Sequence, residues 1–107
     1  MVELQWNRAF ALEQSGEDTE LLLELLDLLK SSSFSDFEKI KAGLSDADGD
    51  AIADAAHSIK GAAASLGVEG LRVVAHDIEK SGRAGLLGEI DLAPLENLVG
   101  QLDTLVV

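Results

Sequence analysis

The chain of 107 residues contains no cysteine and only one proline. Without cysteine no disulfide framework can hold the fold, and with so little proline and 47% hydrophobic residues the chain is neither a disordered tail nor a low-complexity linker. Long apolar runs are also missing. The most leucine-dense stretch, residues 21–29, is broken by Glu24 and Asp27 and falls short of the roughly 20 residues that span a bilayer. The first residues, Met1-Val-Glu-Leu-Gln-Trp6, have neither the basic start nor the apolar run of a secretory signal, so a cytoplasmic location is expected. Basic side chains are scarce: eight Lys and Arg stand against twenty Asp and Glu, a net charge of −12. Such a surface repels phosphate backbones and anionic headgroups, which argues against nucleic acid or a membrane as partner. The length suits one domain over residues 1–107, and a monomer is expected.

What the chain does have is alanine and leucine at three- and four-residue spacing, with no sustained alternation. The fold class expected is therefore all-α, an antiparallel four-helix bundle with an additional short N-terminal helix. The short helix is expected over residues 3–14, carrying Leu4, Trp6, Phe10 and Leu12 and ending at Ser15-Gly16. Asp18 is a candidate N-cap for a long helix over residues 19–44, in which the serines at 31, 32 and 33 are a weak spot. After the turn Asp46-Ala-Asp-Gly-Asp50 a third helix is expected over residues 50–66 and a fourth over 69–83, separated at Gly67. The glycine-rich residues 82–88 read as a loop. Asp91 then caps a last helix with Pro94 in its first turn and a stripe of Leu92, Leu95, Leu98, Val99, Leu102 and Leu105.

On a wheel of about 100° per residue, Ile52, Ala56, Ile59, Ala63 and Leu66 cluster on one side of the third helix and form its core stripe. His57 points away from them, accompanied by Asp50, Asp54, Lys60, Gly61 and Ala64 within about 60°. Glycine inside a helix costs about 1 kcal/mol relative to alanine, so Gly61 asks for a reason. With Gly61 at i+4 and Ala64 at i+7, the space over His57 is cleared of side chains and open to another group. Lys60 at i+3 reaches the same space with an ammonium suited to phosphate oxygens. On the fourth helix Leu71, Val74, Ala75 and Ile78 form the core stripe, and Arg72, His76, Glu79 and Arg83 follow one flank. If that flank borders the third helix, Glu79 can bond the imidazole or Lys60 and Arg83 can stand near an incoming phosphate.

Other patterns carry less. Counted from Asp46, a calcium loop would need glycine in the sixth place and glutamate in the twelfth, where this chain has Ala51 and His57, and His76 with Glu79 offers too few ligands for a metal, so no metal site is expected. No GxxxxGK[ST] loop is present.

The run His57-Ser-Ile-Lys60-Gly61-Ala-Ala-Ala64-Ser-Leu66-Gly67 resembles the phosphorylation motif of histidine-containing phosphotransfer (HPt) domains. Leu71, Ile78-Glu79 and Gly82-Arg83 fall where such domains carry a second motif helix, and the leucine-rich segment after Asp18 resembles their first long helix. The resemblance implies a phosphorelay intermediate: His57 takes a phosphoryl group from an aspartyl phosphate on a receiver domain, or from a histidine kinase, and passes it to a response-regulator aspartate. Implied partners are receiver domains of response regulators or hybrid histidine kinases. The magnesium would belong to the receiver, and the chain would have no cofactor and no kinase activity of its own. A helical adaptor that is never phosphorylated, and the phosphoacceptor domain of a chemotaxis-type kinase, are the competing readings.

Overall fold

The computed structural model describes residues 3–105. Within them the chain forms α1 (Arg8–Gln14), α2 (Thr19–Ser45), α3 (Gly49–Ser65), α4 (Glu69–Ala84) and α5 (Ala93–Gln101), with 3-10 turns at Leu87–Glu89 and Leu102–Thr104. No helix is long and apolar enough to cross a membrane among the described residues.

Caps and burial explain where the long helices run. The Asp18 carboxylate accepts from the backbone N–H of Glu20 and Leu21 and starts α2, as its position predicts. Through the three serines α2 continues unbroken: Leu29, Ser33, Phe37 and Ile40 keep one stripe buried, and that burial outweighs the serines' competition for backbone. The Asp48 carboxylate accepts from Ala51 N at 3.0 Å and starts α3, so the acidic turn before it is a cap. Gly85, in the left-handed conformation at φ 73°, closes α4. Gly82 and Arg83 therefore lie in the last turn of α4, and the loop begins later than the glycine count suggested.

The N-terminal helix is shorter than expected. It begins at Arg8, with the Asn7 side chain accepting from Phe10 N, and residues 3–7 run as irregular chain along the α3–α4 turn, with Gln5 in the left-handed region at φ 52°. There Gly70 N donates to Leu4 O at 2.7 Å, Asn7 N to Gly67 O at 2.9 Å and the Trp6 indole to Leu66 O at 3.0 Å. Gly70 makes this possible: a Cβ on it would stand 2.0 Å from Glu3 O. α5 is also shorter, its stripe continuing into a 3-10 turn. The Asp91 side chain accepts from Ala93 N, and Leu95, Leu98 and Leu102 are buried while Leu92, Val99 and Leu105 are only partly so.

α2 packs on α3 and α5, and α4 on α3 and α5, closing a four-helix bundle. Contacts of α3 with α4 run in opposite directions along the chain, Gly49 against Gly82 and Lys60 against Glu79, so these helices are antiparallel. At the first of those contacts an added Cβ on Gly82 would lie 2.9 Å from Gly49 O and 3.2 Å from Ala53 N. Missing side chains thus bring α4 tightly against α3 at the end of the bundle near His57.

Candidate functional site

The wheel places the α3 core correctly: Ile52, Ala56, Ile59 and Ala63 are fully buried and Leu66 is 6% exposed. On the opposite face the His57 side chain is 63% exposed. Its Nδ1 stands 2.9 Å from Glu79 Oε2, and the Lys60 ammonium donates to Glu79 Oε1 at 2.5 Å. One carboxylate on α4 therefore holds two α3 side chains, one on each oxygen.

Glu79 is only 14% exposed, far less than the ring it holds. The Lys60 hydrogen bond drives its pKa below the ordinary glutamate value; partial burial opposes this, and the bond to His57 adds to the lowering. Glu79 is accordingly ionised at neutral pH, and an ionised carboxylate can only accept. The proton between it and the ring thus sits on Nδ1, which leaves Nε2 of the neutral imidazole with its lone pair. Space around that turn is open: a Cβ on Gly61 would meet nothing within 4 Å, and Ala64 is exposed.

Of the α4 flank, Glu79 and Arg83 reach α3. Arg83 lies one turn beyond Glu79, and its guanidinium donates to Asp54 Oδ1 at 2.8 Å and stands 3.8 Å from Asp50 Oδ1. It is held by acids one and two turns before His57, a pairing not evident from the sequence, which places both aspartates on this face. Opposite charge at helical spacing on two facing flanks was the available signal. Arg72 pairs instead with Glu69 within its own helix, and His76 is exposed with no hydrogen bond or ion pair among the described residues.

The bundle and its exposed imidazole, backed by a carboxylate and a lysine, define a class: an all-α bundle with a histidine-centred surface site. Comparison with known proteins agrees. The Hpt domain model matches residues 24–105, and the chain belongs to that family. The solved structure of histidine-containing phosphotransfer protein B from Pseudomonas aeruginosa PAO1 superposes with a TM-score of 0.70 at 22% identity, covering 94% of this chain and 83% of that one. No curated protein matches the sequence. The chain is thus a phosphorelay module whose partners are receivers or kinases of two-component systems.

Proposed function

We propose that His57 is the residue that carries the phosphoryl group, taken from a receiver aspartyl phosphate or a histidine kinase and given to a response-regulator aspartate. The observation that carries this is the Glu79 carboxylate joining His57 Nδ1 and Lys60 Nζ beneath an uncovered helix turn.

The chemistry follows from where the proton is held. Nε2 attacks phosphorus, the Nε2–P bond forms as the P–O bond to the receiver aspartate breaks, and the aspartate leaves as carboxylate. Throughout, Nδ1 keeps its proton on Glu79. In the reverse step that same proton lets the ring leave phosphorus as a neutral imidazole, so one hydrogen bond serves acceptance and donation alike. Lys60 can trade Glu79 for a phosphoryl oxygen, and Gly61 and Ala64 leave room for the docked partner. Magnesium is supplied by the receiver, and the module has neither a cofactor nor kinase activity of its own. Docking uses the groove between α2 and α3 lined by Leu25, Leu28, Ala62 and Ser65, of which Leu28 is 64% exposed. A monomer working in the cytoplasm completes the reading.

The test is to incubate the protein with a phosphorylated receiver beside His57→Gln. Acid-labile, alkali-stable label on the wild type and none on the variant is expected. Wild type left unlabelled by a range of phosphorylated receivers and kinases would sink the proposal and favour an adaptor.

A further inference from the structure

The Arg83 side chain bridges α4 to α3 one turn away from the His57–Glu79 contact. Arg83 follows Glu79 by four residues and Asp54 precedes His57 by three, spacings that place each on the same helix face as its neighbour. The guanidinium donates to Asp54 at 2.8 Å, with Asp50 at 3.8 Å behind it, and all three side chains are well exposed, at 49%, 72% and 88% in that order. Exposed ion pairs of this kind contribute little, whereas a phosphoryl group offers a guanidinium more charge and a bidentate set of oxygens. Lys60, on the other side, is stored on Glu79 in a less exposed pair. Each of the two cations is thus paired with a carboxylate that is a weaker partner than phosphate.

Resting on the reading of His57 as acceptor, we propose that Asp54, backed by Asp50, is a positioning residue that holds Arg83 in reserve, and that Arg83 exchanges Asp54 for the phosphoryl group once His57 carries one. Asp54 then competes with the phosphoryl group for the guanidinium. That competition keeps the group from being clamped and leaves it transferable to the next receiver.

The measurement is the titration of the phosphoryl group by phosphorus NMR, in a His76→Gln background so that His57 is the one remaining histidine of two. Phosphoramidate loads the ring without a partner protein: the Nε2–P bond forms as the P–N bond breaks and ammonia leaves. Four proteins are compared: the parent, Asp54→Asn, Arg83→Ala and the pair together. A nearby cation stabilises the dianion, so Arg83→Ala is expected to raise the titration midpoint by about half a pH unit. Asp54→Asn is expected to lower it by a similar amount, and most of that lowering vanishes when Arg83 is absent. An Asp54→Asn shift that is the same with and without Arg83, or an Arg83→Ala variant with an unmoved midpoint, overturns the lock. A pair that merely fastened α3 to α4 would change the thermal melt and leave the midpoint alone, which overturns it too. If phosphoramidate does not label His57, the reading of the site falls and the lock with it; a labelled ring indifferent to Arg83 removes the lock only.

Discussion

Gly61 and Gly82 are both motif glycines inside helices that flank the same site, yet they are there for opposite reasons. At Gly82 an added methyl would run into the backbone of Gly49 and Ala53 across the α3–α4 contact; at Gly61 it would meet nothing within 4 Å. One absence lets two helices touch, and the other keeps a surface empty. Packing accounts for the first completely. The second has a helix-propensity cost with no contact inside the molecule to offset it, so its compensation has to come from something outside. Beside an exposed imidazole such an empty position points to a partner more sharply than the groove between α2 and α5, whose own bare glycine, Gly100, sits in the last turn of α5. That groove is larger, at about 770 Å³, but its Lys41 is held by the neighbouring Glu38 on the same helix and it lies on the far side of the bundle from His57.

The strongest way to break the contrast is Gly82→Ala. Overpacking a tight backbone contact is expected to cost about 1–3 kcal/mol, lowering Tm by roughly 4–8 °C for each kcal/mol in a domain of this size. Because Glu79 and Arg83 ride on the same helix, label uptake at His57 should fall as well. A variant that melts with the wild type would show that α3 and α4 are not held together through this contact.

Glu79→Gln comes next and probes the site that the tight contact positions. A neutral amide can present either an acceptor or a donor to Nδ1, so the ring is no longer held as one tautomer; roughly a tenfold or greater loss in the rate of phosphoryl exchange is expected, read in single-turnover transfer. The same variant changes the response to acid. Since the folded-state pKa of Glu79 is depressed, its contribution to stability is present above the ordinary glutamate value of 4.5 and is lost as pH falls through the lower, folded value. Urea unfolding at neutral pH and again in that acid range should show Glu79→Gln with a flatter decline than wild type. Parallel declines would mean that the bridge to Lys60 and His57 does not contribute to stability.

These two helices also show what one sequence can and cannot reveal. The rotation of α3 was legible because Ile52, Ala56, Ile59, Ala63 and Leu66 repeat at helical spacing and only one face can be buried, which fixed His57 as outward. The core side of α4 was legible in the same way, Leu71, Ala75 and Ile78 being buried, but Arg72, His76, Glu79 and Arg83 form one regular flank and only two of them reach α3; which two depends on the Gly49–Gly82 approach, a contact between residues far apart in sequence. Short apolar patterns fit either period, which is why residues 3–7 look helical in sequence. Leu4 and Trp6 instead dock through an irregular stretch, and their partner, the turn carrying Gly67 and Gly70, gives no local sign.

Gly61→Ala is the smallest change and sharpens the comparison most. In isolation the added methyl is expected to stabilise the protein by up to about 1 kcal/mol, the helix preference of alanine over glycine with no clash to subtract. Loading by a small phosphoryl donor should be unchanged, because nothing near the ring moves. Transfer from a receiver should slow, because there the partner's surface must come down over the turn that Gly61 keeps bare. Thermal melts, phosphoramidate labelling and receiver-dependent transfer on the same preparation separate these effects. If receiver transfer keeps its wild-type rate while stability rises, the bare turn has no partner to admit, and the inference drawn from an empty position is wrong.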